Sequence, residues 1–186
     1  MTNPTFTIYT GPMFGSKTTR LLGDIDRLKY RGRSVLAVKP KIDQRYEHDK
    51  ISSHNGGTVQ AVCVDNAEEL HSYLGKSNYT TIAVDEAFMI KNIDEVLIDY
   101  FRKGMSIIVS SIQLDAEEMP FESIKNMMPF ATKIEICPAV CTKCDKDAYY
   151  TEALFDIANA SQEDRVGSDS MYEPRCAKHY TTFNKD

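Results

Sequence analysis

The residues Gly11-Pro12-Met13-Phe14-Gly15-Ser16-Lys17-Thr18-Thr19 set glycine, amine and hydroxyls at the intervals of a phosphate-binding loop, entered from the apolar run Phe6-Thr7-Ile8-Tyr9. In such a loop successive backbone N–H groups wrap a polyphosphate. The lysine adds a point charge, and the hydroxyl after it reaches a magnesium ion. One position breaks the pattern: the residue before the lysine, normally glycine, is Ser16, and glycine sits one place earlier as Gly15. A serine held at positive φ there costs about 1–2 kcal/mol, so the loop is expected to carry a locally altered backbone. The competing reading is an ordinary strand-to-helix turn.

A second constellation is Asp85-Glu86, closing the apolar run Thr81-Ile82-Ala83-Val84. Strand C-termini in a doubly wound sheet face the ligand crevice, where an aspartate orders magnesium. The adjacent glutamate is placed to act as general base toward a hydroxyl near the γ-phosphate. Two solvated carboxylates at a strand end are the alternative. A third constellation is Cys141-x-x-Cys144 with Cys176-x-x-His179, two short knuckles that together close a tetrahedron around zinc. Four protein ligands make such a site structural rather than catalytic. Arg45 and His54 lie in a polar segment and are either phosphate-charge partners or surface cations. Phe14, Phe88, Phe121 and Tyr172 offer an aromatic wall for a base, though a ring taken singly is more often a core residue.

Positioning these groups requires strands alternating with helices. Strands are expected over Thr5–Thr10, Ser34–Lys39, Val59–Val64, Thr80–Val84, Met105–Ser111 and Thr132–Ile136. Helices are expected over Thr18–Gly32, Ala67–Leu74, Ile93–Lys103 and Phe121–Met128. Pro40–Thr58 reads as a long irregular loop. This alternation predicts an α/β fold of the P-loop type: a mostly parallel sheet with helices on both faces. After Cys137-Pro138 the character changes. Residues 1–136 read as the core, and 137–186 as a small zinc-binding module with a strand-like Ala148–Phe155. Cys63 is expected in the core and Cys137 as a free thiol.

The bulk composition narrows the function. The 186 residues carry a net charge of −5 and are 42% hydrophobic, a globular balance. A pI near 5.4 argues against a broad nucleic-acid footprint. No apolar run reaches the roughly 20 residues of a membrane span, and no leader precedes the first strand, so a cytoplasmic protein is expected. Five cysteines in that compartment point to metal or free thiols rather than disulfides.

The segments Thr10–Phe14, Lys17-Thr18-Thr19, Asp43-Gln44-Arg45-Tyr46, Asp85-Glu86-Ala87, Pro120-Phe121, Ala139-Val140-Cys141-x-x-Cys144, Ala148–Thr151 and Val166-Gly167…Tyr172-x-x-x-Cys176-x-x-His179 resemble, in order, the type II thymidine kinases. The resemblance covers nearly the whole chain. It implies a P-loop kinase core, a zinc ribbon and a lasso over the nucleoside. It also implies transfer of the γ-phosphoryl of Mg–ATP to the 5′-hydroxyl of thymidine or a related pyrimidine deoxynucleoside, usually in a homo-tetramer. By that resemblance Glu86 is the base and Arg45 assists transfer. Gly11 to Thr19 with Asp85 hold the nucleotide, and Thr18 and Asp85 order magnesium. Met13, Phe88, Phe121, Thr151 and Tyr172 surround the nucleoside, together with the lasso residues Glu163, Asp164, Arg165, Val166 and Gly167.

The departures cluster around the base. The family's glutamine after Asp-Glu-Ala/Gly is Phe88, and its Leu-Asp-x-x-Phe becomes Ile112-Gln113-Leu114-Asp115-Ala116. An aspartate and a packing ring are lost, with Phe88 and Met119 as the residues available to refill the space. The lasso carries Glu163, Asp164 and Arg165 where small apolar residues are usual. Two other readings stand beside the kinase. One is a kinase-derived nucleotide-binding or regulatory protein with weak or no activity. The other is a nucleic-acid-dependent P-loop ATPase, which the acidic balance disfavours.

Overall fold

The computed structural model describes residues 3–43, 49–75, 77–156 and 169–181. Its centre is a six-stranded parallel sheet built from β1 (Phe6–Thr10), β2 (Val35–Pro40), β5 (Val62–Val64), β6 (Thr81–Val84), β7 (Ser106–Ser110) and β8 (Lys133–Ile136), in the spatial order β5-β2-β6-β7-β1-β8. All five pairings are parallel. The inner strands are apolar at nearly every position because both faces are covered. Alternation divides their side chains between two cores. Phe6, Ile8, Leu36, Val38, Ile82, Val84, Ile107 and Val109 face one side. Tyr9, Ala37, Ala83 and Ile108 face the other.

The first face is covered by α2 (Ala67–Leu74), α3 (Ile93–Arg102) and α4 (Glu122–Met127), which contribute Leu70, Leu74, Ile93, Leu97, Ile124 and Met127. Asn66 starts α2 by accepting a hydrogen bond from the Glu69 N–H, which satisfies one of the helix's orphan donors. The second face is covered by α1 (Lys17–Tyr30), whose Leu21, Leu22 and Ile25 recur at helical spacing and are buried. Gly32 at φ 68 lets the chain turn back after α1, with Arg33 N–H donating to the Leu28 carbonyl at 3.0 Å.

The expected long loop is not irregular throughout its described residues. It contains a two-stranded antiparallel hairpin, β3 (Lys50–Ser52) with β4 (Thr58–Gln60), whose Ile51 and Val59 complete the core under α1. The single strand expected over Val59–Val64 breaks at Ala61, where the backbone leaves the hairpin to join the main sheet as β5. Beyond β8, two short ribbons follow: β9 (Ala139–Val140) with β10 (Asp147–Ala148), and β11 (Tyr150–Ala153) with β12 (Tyr172–Arg175). The strand expected over Ala148–Phe155 is thus divided between two ribbons. Cys63 lies in β5 but is only half-buried, so it is not a core residue; Cys137 is buried against α1's side of the sheet.

Candidate active site and metal centre

The candidate phosphate loop joins β1 to α1. Gly11 takes φ 130, and a Cβ built there would lie 2.4 Å from the Cys137 carbonyl oxygen. Gly15 is required for space alone: its φ is ordinary, but a Cβ would meet the same carbonyl at 2.3 Å. Ser16 occupies the left-handed conformation at φ 57, ψ 26. The serine thus adopts the left-handed conformation usually left to glycine. Phe14 is also left-handed, at φ 63; its ring is 42% exposed and sits 6.0 Å from the His54 ring at the hairpin tip.

Lys17 opens α1, is only 7% exposed, and donates from Nζ to the Pro12 carbonyl at 2.5 Å, so its charge lies across the loop it belongs to. The Thr18 hydroxyl lies 3.1 and 3.2 Å from the two carboxylate oxygens of Asp85. Asp85 is buried at the end of β6, its N–H donating to the Val38 carbonyl of β2 at 2.9 Å. A hydroxyl and a carboxylate converging at the N-terminus of a helix, beside a buried lysine, form the oxygen donor set that magnesium takes in phosphate-loop proteins. The residues present therefore fit the metal. Thr19 is half-buried on the next position of the helix.

Glu86, immediately after, is left-handed at φ 49, ψ 46 and half-buried. Strain of this kind in a residue with a side chain is concentrated at functional sites. The turn is fixed by Met89 and Ile90 N–H bonds back to Glu86 and Ala87, and by the buried Ser111 hydroxyl, which accepts from the Phe88 N–H at 3.3 Å. Phe88 packs on Phe121 with ring centroids 4.5 Å apart, so these two expected pocket residues come together. Met119 is 63% exposed and does not refill the space left at Ala116. Across the loop, the Met13 N–H donates to the buried Thr151 hydroxyl at 3.0 Å, tying the phosphate loop to β11. Tyr172 opens β12 and packs edge-on against Phe155. Arg45 and the lasso residues Glu163, Asp164, Arg165, Val166 and Gly167 lie outside the described residues.

Three groups in this region had little signal in the sequence. Gln113 accepts from the Thr10 hydroxyl at 3.2 Å and lines, with Gly11, Pro12, Tyr150, Thr151 and Tyr180, a narrow cleft beside the loop. Tyr180 is buried, stacks on Tyr150 at 5.0 Å, and donates to the Ala116 carbonyl at 3.3 Å. Ser110, at the end of β7, is 1% exposed, and its hydroxyl has no hydrogen-bond partner among the described residues. An unsatisfied buried hydroxyl of this kind costs about 1–3 kcal/mol.

The Cys/His knuckles meet as the spacing predicts. The ligand atoms of Cys141, Cys144, Cys176 and His179 all lie within 4.8 Å of one another. Cys144 and Cys176 sulfurs are 3.8 Å apart, and His179 Nδ1 is 3.7 Å from the Cys141 sulfur and 3.4 Å from that of Cys176. Tetrahedral zinc with Zn–S of about 2.3 Å requires sulfurs about 3.8 Å apart, so the cluster could hold the metal without rearrangement. Burial opposes charge on the Cys141 thiol, but backbone N–H groups at Cys176, Lys143 and Cys144, with the His179 side chain, hold its pKa down to about 6. The same burial pushes the Cys137 thiol up. Around the knuckles, the buried Arg175 pairs with Glu152 at 2.7 Å and Glu173 at 2.5 Å and donates to the Thr142 hydroxyl, joining the two ribbons.

Among the described residues no helix is long and apolar enough to cross a membrane. A family model described as thymidine kinase matches residues 5–180, from the first strand through both knuckles to the residue after His179. With the phosphate loop, the Thr18–Asp85 pair and the three-cysteine, one-histidine cluster all inside that span, the chain belongs to the thymidine kinase family.

Proposed function

We propose that the protein is an ATP:deoxynucleoside 5′-phosphotransferase whose acceptor is thymidine or a related pyrimidine deoxynucleoside. The observation that carries this reading is the meeting of the Thr18 hydroxyl and the Asp85 carboxylate at 3.1 Å beside the buried Lys17, with Glu86 next in the chain. Thr18 and Asp85 would hold magnesium, which neutralises charge on the β- and γ-phosphates. Lys17 and the loop N–H groups hold the polyphosphate. Glu86 takes the proton of the 5′-hydroxyl as its oxygen attacks the γ-phosphorus. The bond from that phosphorus to the β–γ bridging oxygen breaks, and ADP leaves with the electron pair. Arg45 assists the transfer. Met13, Phe88, Phe121, Thr151 and Tyr172, with the backbone of residues 163–167, enclose the nucleoside.

We assign residues 1–136 to the kinase core and 137–186 to the zinc-binding and lasso unit, with zinc as the structural metal of Cys141, Cys144, Cys176 and His179. We also infer a homo-tetramer in the cytoplasm. The outer strand β8 supports association, since its Ile134 and Ile136 are 45% and 53% exposed and an open apolar edge favours pairing with another copy.

The test is a nucleoside panel. Zinc-replete protein is incubated with Mg–ATP and each of thymidine, deoxyuridine, 5-substituted deoxyuridines, deoxycytidine and the purine deoxynucleosides, and monophosphates are read by mass spectrometry. A pyrimidine monophosphate is the expected product. Mg–ATP binding with no product from any acceptor would instead identify a kinase-derived nucleotide-binding protein.

A further inference from the structure

The sheet order inserts β7 between β6, which delivers Asp85, and β1, which delivers the phosphate loop. Ser110 ends β7. Its register partner on β1 is Tyr9, and on the other side the register Val84↔Val109 brings Asp85 level with Ser110 one step later. Neighbouring strands lie about 4.8 Å apart, so Ser110 stands one strand from each arm of the site. Alternation also fixes the face. Val109 faces away from α1, while Ile108 and Ala83 face it, so Ser110 and Asp85 share the side on which Lys17 and Thr18 begin the helix. The Ser110 hydroxyl is buried there with no hydrogen-bond partner among the described residues. Its neighbour Ser111, equally buried, uses its own hydroxyl on Phe88 N–H and the Ile112 carbonyl. Of two adjacent serines, one is employed in the fold and the other is held ready on the phosphate side. A buried hydroxyl keeps a donor unused where a ligand supplies the acceptor.

We propose that Ser110 is a positioning residue of the phosphate–magnesium site: its hydroxyl donates to an oxygen held between Thr18 and Asp85, a water bound to the magnesium of Mg–ATP. The inference rests on the kinase reading above and adds a contact that senses whether the nucleotide arrives with its metal. Through that water, Ser110 fixes the orientation of the Asp85 carboxylate, and with it the seat of the γ-phosphate.

The test is Ser110→Ala, with Ser110→Cys as a variant of similar size and poorer donor strength. Binding of a fluorescent ATP analogue is titrated with magnesium present and again in EDTA, and the melting temperature is recorded without ligand. Loss of one neutral hydrogen bond predicts Mg-nucleotide binding weakened about three- to tenfold in Ser110→Ala, with metal-free binding changed less than about twofold. The ligand-free melting temperature should hold or rise, because an unsatisfied hydroxyl is removed. Equal affinities for wild type and Ser110→Ala in magnesium would overturn the proposal. So would equal weakening with and without metal, or a fall of several degrees in the ligand-free protein. If wild type itself binds neither form, the phosphate-loop reading fails and takes this one with it.

Discussion

Replacing Gly15 with alanine adds one methyl group, and the structure says where it goes. The new Cβ would stand 2.3 Å from the Cys137 carbonyl oxygen and 3.2 Å from its carbon. Both are backbone atoms, and Cys137 N–H is itself bonded to Thr10 at 2.7 Å, so the carbonyl has no free side chain to swing aside. Either the loop or the strand exit must move. Overpacking of this kind costs about 1–3 kcal/mol, and in a protein of this length each kcal/mol lowers the melting temperature by roughly 2–4 °C. A fall of about 2–12 °C is therefore expected, with Mg–ATP binding lost in proportion to the displaced N–H groups. The neighbouring Ser16→Gly should behave in the opposite sense. It relieves about 1–2 kcal/mol of left-handed strain and gives back about 0.4–1 kcal/mol through a more flexible unfolded chain, a net gain between about zero and 1.6 kcal/mol. The assay is paired thermal melts and nucleotide titrations of both variants. Gly15→Ala with wild-type melting and affinity would refute the steric argument, and a large loss in Ser16→Gly would refute the reading of Ser16 as a conformational stand-in.

Glu86→Gln should lower kcat by about 10²–10⁴ while Mg–ATP affinity and melting temperature hold, and near-normal turnover would remove Glu86 as the base. Lys17→Ala should abolish ATP-dependent turnover, since it removes the buried charge that lies across the loop; unchanged kinetics would reject the phosphate-loop assignment. Thr151→Val deletes the acceptor of the Met13 N–H and should destabilise by about 1–3 kcal/mol and raise the KM for nucleotide; a melt and kinetics identical to wild type would show that the tie is not used. Chelation, or Cys176→Ser, should lower the melting temperature, and metal analysis of fresh, reduced protein should return one zinc per chain. A metal-free preparation with the full melting temperature would exclude a structural metal at the cluster.

The strand–helix alternation was legible because buried parallel strands are short apolar runs and α1, α2 and α3 carry clear helical spacing. The Cys/His cluster was legible for a different reason: knuckles are local, and two of them in one chain have few ways to be satisfied. The hairpin was not, because Lys50-Ile51-Ser52 and Thr58-Val59-Gln60 each offer a single buried apolar residue, too few for a periodic signal. The consequence of Gly15-Ser16 was half legible. Sequence spacing gave the strain at Ser16, but the need for Gly15 comes from a carbonyl more than a hundred residues away. Ser110 was invisible for the same reason: only the insertion of β7 between β6 and β1 turns a strand-end serine into a neighbour of Asp85.

The Cys137 carbonyl that backs Gly11 and Gly15 is the first peptide group after β8. A peptide oxygen cannot be altered by exchanging a side chain, so substitutions at position 137 leave this buttress in place while insertions or deletions displace it. A shortened enzyme ending with β8 would keep all six strands of the sheet and every phosphate-loop residue, yet leave both glycines facing an empty hollow. The segment leading into the Cys/His cluster is thus the rear wall of the Gly11–Thr19 loop, and grafting a different C-terminal module onto this core would require matching its first peptide before anything else.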